Sequence, residues 1–155
     1  MIAAFTRPCG KTQNEQHTAA YELLYAAASF LGLSVGKTEK TPEGKPFFPD
    51  TPNIHFSIAH AVGRVAVAIG DSPCGIDIER ERKISERIRQ KYLDNAPEDQ
   101  ALLRWTERES YGKYEGSGFF ADPSYENVAF KTFFVDGFTV TVCTNKGETV
   151  EIKEI

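Results

Sequence analysis

Four residues have types and spacing that could do chemistry together: Asp77 and Glu79, then Glu109 and Lys113. Residues 75–79, Gly-Ile-Asp-Ile-Glu, alternate between apolar and acidic, the period of a half-buried strand. Positions i and i+2 of a strand share a face, so Asp77 and Glu79 project together while Ile76 and Ile78 turn to a core. Carboxylates held side by side repel unless a cation, a proton or a basic partner sits between them. Arg80 and Arg82 follow at once and could make the pair an ordinary solvated strand end. Glu109 and Lys113 are four apart and share a helix face. Alone they could be a surface ion pair, or Thr106-x-x-Glu109 could be a capping box. Taken with Asp77 and Glu79 they describe a hard-oxygen site suited to magnesium, with an ammonium one turn away to neutralise a phosphate. That constellation fits phosphoryl transfer, in which positioning and charge neutralisation dominate. The sequence holds neither a Walker loop nor a Gly-x-Gly-x-x-Gly turn, so the standard nucleotide folds are not indicated.

The elements that must position these residues can be read in order. Residues 2–7 predict a strand, ended by Pro8 and Gly10. Residues 12–31 predict a helix, with Ala20, Leu23, Leu24, Ala27, Phe30 and Leu31 at spacings of three and four and Gly32 as the stop. Residues 36–50 lack an apolar period and read as a loop stiffened by proline. Strands over 53–61, 64–70 and 75–79 follow, then helices over 84–93, from Pro97 to about 103, and over 105–115, closed by Gly116 to Gly118. The tail predicts strands at 124–135, 138–144 and 149–153, with Asp136-Gly137 a hairpin turn and Asn145-Lys146-Gly147 a second turn. The expectation is an α+β fold of two similar subdomains, each a helix plus an antiparallel sheet, spanning about 1–72 and 73–155.

Composition bounds the setting. A chain of 155 residues with 41% hydrophobic and 26% charged residues suits one globular domain. No apolar run approaches the ~20 residues of a membrane span, and residues 1–6 do not form a signal peptide. The net charge of −4 argues against a nucleic-acid binder. Cys9, Cys74 and Cys143 suggest neither a disulfide framework nor a zinc site. We expect a reduced, cytoplasmic protein. Basic residues cluster at Arg80, Arg82, Lys83, Arg87, Arg89 and Lys91. Such a run is either a solvated face or a surface that steers an acidic partner.

The motif at 75–79, followed by Trp-Thr-Glu-Arg-Glu-Ser-Tyr-Gly-Lys at 105–113, resembles the 4′-phosphopantetheinyl transferases of the monomeric type that activates peptide and polyketide synthases. A third block agrees: Gly44-Lys45-Pro46, then Asn-Ile-His-Phe-Ser-Ile-Ala-His-Ala at 53–61, similar to the family's Gly-Lys-Pro and Phe-Asn-x-Ser-His-Ser segments. The three blocks lie in the family's order and cover about 44–118. The resemblance implies a pseudo-twofold fold with coenzyme A as co-substrate between the halves, and magnesium, with manganese able to replace it, held by carboxylates. A carrier-protein serine would attack the phosphate bearing pantetheine and release 3′,5′-ADP. Asp77, Glu79 and Glu109 would be metal ligands, with Glu109 also the candidate base. Lys113 would neutralise the pyrophosphate. Ala59 and His60 would lie at a coenzyme A phosphate, and the Gly44-Lys45-Pro46 backbone would flank the adenine. The partner would be an acyl or peptidyl carrier protein meeting Arg82, Lys83, Arg87 or Arg89 within residues 80–91, and not nucleic acid or membrane.

The chain departs from the family pattern in three places. Ala59 and Ala61 stand where the family has serines, the first helix offers His17 and few cations, and Gly112 interrupts the helix at a cost of about 1 kcal/mol relative to alanine. The chain is also short for the family, so either a monomer or a weak homo-oligomer is expected. Two rivals remain: a degenerate fold that binds coenzyme A or a carrier protein without turnover, and a different magnesium-dependent phosphoryl-transfer or hydrolytic enzyme.

Overall fold

The computed structural model describes residues 1–117 and 123–155. Strand β1 (Ile2–Pro8) leads into helix α1 (Gln13–Phe30), capped by the Thr12 hydroxyl accepting from the Glu15 amide. Gly32, at φ 69°, ends the helix as the sequence predicts. Short strands β2 (Glu39–Lys40) and β3 (Pro46–Phe47) pair within the segment read as loop. Their ladder is only two residues long, so it leaves no periodicity to read.

Strands β4 (His55–Ala61), β5 (Arg64–Gly70) and β6 (Cys74–Arg80) follow, then α2 (Glu86–Tyr92) with Ser85 as its cap. Helix α3 runs unbroken over Glu98–Glu115, where the sequence suggested two helices. Arg104 is a good helix former and nothing near it stops a helix. Thr106 is therefore mid-helix and caps nothing: its hydroxyl donates to the Leu103 carbonyl and lies 2.8 Å from Thr141 Oγ1. Gly116, at φ 75°, ends α3, while Gly118 falls outside the described residues. Strands β7 (Val128–Val135), β8 (Phe138–Asn145) and β9 (Val150–Glu154) complete the chain, β7 starting later than the predicted 124. Asp136 and Gly137 both adopt positive φ, as their two-residue hairpin requires.

The strands form sheets of order β4-β5-β1-β9 and β6-β8-β7, and the architecture is α+β. In each half a strand, then helical sequence, then an antiparallel hairpin yields one strand order, β4-β5-β1 and β7-β8-β6. Strand β9 then crosses back to lie parallel to β1, so the last residues belong to the first sheet. One core lies between α1 and the first sheet, built on Phe5, Leu23, Leu24, Phe56, Val65, Val67 and Ile69. A second lies between the sheets, where Ala4, Ala66 and Ala68 meet Ile76, Ile78, Val140 and Val142. Small alanines on one side let larger side chains enter from the other, the alternation that close packing favours. No helix among the described residues is long and apolar enough to cross a membrane.

Candidate active site

Ile76 and Ile78 are fully or almost fully buried in the inter-sheet core. The period of two then sends Gly75, Asp77 and Glu79 to the opposite face of β6, toward α3. Gly75 sets the distance between strand and helix. A Cβ added there would sit 2.0 Å from the Ser110 carbonyl oxygen and 2.4 Å from the Tyr114 nitrogen. Only glycine allows the α3 backbone this close, and that approach places Lys113 over the next outward residue, Asp77.

Asp77 is 7% exposed. Its Oδ1 lies 3.5 Å from Lys113 Nζ, while its buried Oδ2 has no hydrogen-bond partner among the described residues. Burial pushes the carboxyl up to about 7; Lys113 opposes the rise, and Glu79 and Glu109 add to it. Burial likewise raises Glu109, against the pull of Lys113 and with a push from Glu79. The three carboxylates thus share one neighbourhood, as the sequence implied. They do not converge on a point: among the described residues no group of three or more His, Cys, Asp or Glu side chains is placed to hold a metal. Glu79 explains part of this. Its Oε1 accepts from the Trp105 indole at 3.1 Å and its Oε2 from Arg82 Nε at 3.3 Å. The Asp77 oxygen that is orphaned among the described residues and the all-oxygen donor set fit a hard divalent cation, with Glu79 the carboxylate already engaged by Trp105 and Arg82.

Beside this acidic pocket lies a cleft of about 220 Å³, lined by Glu43, Gly44, Lys45 and Pro46, by Ser57 and Ile58 of β4, and by Gly112, Lys113 and Gly116 of α3. A second hollow of about 460 Å³ shares Glu43, Lys45 and Gly116 with it. Gly44, at φ 92°, makes the turn that brings Lys45 back, its amide donating to the Thr41 carbonyl. The Lys45 ammonium is spent on structure: it donates to the carbonyls of Cys74, Lys113 and Tyr114 at 3.3, 2.6 and 3.2 Å. It thereby neutralises the negative end of α3, a role the sequence did not reveal. Residues 44–46 line the cleft, with the Gly44 and Lys45 amides donating to the Thr41 carbonyl and hydroxyl and the Lys45 carbonyl accepting from the Thr41 amide. Ala59 packs into the inter-sheet core at 2% exposure.

His60 lies on the other face of β4, its Nδ1 2.8 Å from Gln16 Oε1. Burial lowers its pKa, and Lys113 and His17 lower it further, which places these groups near the ring. The acidic residues, the Lys113 ammonium and the cleft thus lie side by side. The basic segment is mostly committed: Arg80 stacks on Phe138, Arg82 pairs with Glu79, Lys83 with Glu98, and half-buried Arg89 donates to the Ala96 carbonyl.

No protein-family model matches the chain. Curated proteins do. The 4′-phosphopantetheinyl transferase Sfp of Bacillus subtilis is 33% identical over 87 residues, covering 48% of this chain and 39% of that protein. The chain is similar to the 4′-phosphopantetheinyl transferases. The transferase gsp of Aneurinibacillus migulanus is 32% identical over 130 residues, 74% of this chain and 51% of its own length. The transferase psf-1 of Bacillus pumilus is 31% identical over 93 residues, 52% and 40% of the two chains. The chain thus spans about half or less of the length of these transferases.

Proposed function

We propose that the chain moves the 4′-phosphopantetheine group of coenzyme A onto a serine of an apo acyl or peptidyl carrier protein. The observation that carries this reading is Asp77, buried beside Lys113 and two further carboxylates with one oxygen unpartnered among the described residues, next to a cleft in a chain similar to these transferases. The serine Oγ forms a bond to the phosphorus bearing pantetheine, the bond from that phosphorus to the bridging oxygen breaks, and 3′,5′-ADP leaves. The serine proton passes to Glu109, directly or through water. A carboxyl raised by burial is a stronger base than an exposed one, which suits Glu109 to that task.

Asp77 and Glu109 would hold magnesium or manganese, with Glu79 joining directly or through water. When bound, the metal supplies charge neutralisation at the pyrophosphate. Lys113 turns its ammonium from Asp77 to the leaving phosphate, His60 donates to a phosphate oxygen, and the 44–46 turn flanks the adenine. Symmetry of strand order supports a pseudo-twofold arrangement with the ligand between halves. Exposed Arg80, Arg82, Lys83, Arg87 and Lys91 give an acidic carrier protein a surface to approach, whereas Arg89 serves the α2–α3 turn. The test is intact-mass analysis of an apo carrier protein incubated with the chain, coenzyme A and magnesium. One added phosphopantetheine supports the reading; coenzyme A binding without transfer to any carrier overturns it in favour of a non-catalytic binder.

A further inference from the structure

Gln16 is a glutamine on the first helix that is 5% exposed. A buried primary amide must satisfy both its donor and its acceptor, and here both partners can be identified. Its Nε2 donates to the Lys11 carbonyl at 2.9 Å. A carbonyl only accepts, so this bond fixes which way round the amide lies and leaves Oε1 facing His60. Oε1 can only accept as well. The ring nitrogen 2.8 Å away must therefore be the donor, which makes His60 protonated at Nδ1 in its neutral form. Among the described residues no hydrogen bond involves His60 Nε2. Lys113 of α3 and His17 of α1 are the charged or titratable groups acting on the ring.

We propose that Gln16 is a positioning residue for His60: anchored on the Lys11 carbonyl, its amide orients the ring and confines the neutral ring's proton to Nδ1, keeping Nε2 for the ligand. The role as a phosphate contact rests on the function proposed above; the orienting role does not. A neutral His60 offers only a lone pair at Nε2, so donating there to a phosphate requires one further proton on the ring. Oε1 accepts from Nδ1–H in both states, so Gln16 holds the ring fixed while the proton is taken up. Binding of coenzyme A is then coupled to proton uptake at His60.

The test combines nitrogen-15 NMR of the histidine ring with calorimetry on the full chain. In the unsubstituted protein above the His60 pKa, the ring nitrogens should report Nδ1–H. Gln16→Leu should release the tautomer toward Nε2–H and weaken coenzyme A by about tenfold, the size of one hydrogen bond. Gln16→Glu, which keeps an acceptor oxygen, should retain Nδ1–H and raise the His60 pKa. Calorimetry in buffers of different ionisation enthalpy should show proton uptake that peaks at higher pH in Gln16→Glu. An unchanged tautomer in Gln16→Leu, or Nε2–H in the unsubstituted protein, would overturn the proposal. If the unsubstituted chain binds no coenzyme A, the proposed function fails, while the tautomer still decides what Gln16 does. Should Gln16→Leu not fold, the tautomer of the unsubstituted chain and the pKa in Gln16→Glu decide it.

Discussion

An aspartate that is 7% exposed beside two other carboxylates is easier to keep protonated than ionised. Asp77 rises from 3.8 to about 7, so the native state holds a proton that the unfolded chain has released over that interval. Its contribution to stability is therefore full below the unfolded pKa and is lost as pH climbs through about 7. In chelator, the chain should lose stability as pH rises from about 4 to 7 and level off above that. Asp77→Asn should remove that slope and gain on the order of 2–4 kcal/mol at pH 8 while abolishing transfer. Thermal unfolding across pH checks this; parallel curves for both proteins would contradict it. Glu109→Gln should leave coenzyme A affinity within a few-fold but lower transfer by about 10²–10⁴-fold, the span of a lost general base. Single-turnover kinetics separates the two effects. At this scale the sequence was informative: Asp77, Glu79, Glu109 and Lys113 are neighbours because strand and helix periods put them on facing surfaces. It did not reveal what the Lys45 ammonium does and did not single out Gln16, because both donate to backbone carbonyls, groups that no residue type announces.

The elements succeed where one face is apolar and fail where the signal is local and weak. α1, β4, β5, β6, β8 and β9 were legible within a few residues because burial imposes a period. α3 was split because its polar middle, Arg104 to Glu109, hid a continuous helix behind a capping-box pattern. The requirement for Gly75 was also invisible, since it lies in a distance between two elements rather than in either. Gly75→Ala forces α3 off β6. It should cost about 1–3 kcal/mol or more in urea unfolding and lower transfer further by moving Lys113 from Asp77. A substitution that leaves both stability and activity intact would show that helix and strand are not in contact.

At the scale of the molecule, Arg64 links the halves. It is 3% exposed and reaches Thr6, the Asp136 turn and Glu154 of β9, with its guanidinium near the Phe138 ring. One buried cation thus joins the first sheet to the hairpin of the second and to the strand that crosses back. Arg64→Met should destabilise by about 1–3 kcal/mol, as loss of hydrogen bonds to charged groups does, with little change in single-turnover transfer once folded. The α+β class and the succession of strand, helix and hairpin in each half were readable from pattern. The return of β9 to β1 was not, because a parallel pairing of distant segments leaves no turn to mark it.

The central claim is the transfer itself, and intact mass spectrometry of an apo carrier protein tests it most directly. With the chain, coenzyme A and magnesium, the carrier should gain one phosphopantetheine, and Glu109→Ala should abolish the gain. A carrier mass that stays unchanged across acyl and peptidyl types, while coenzyme A still binds, would contradict the account.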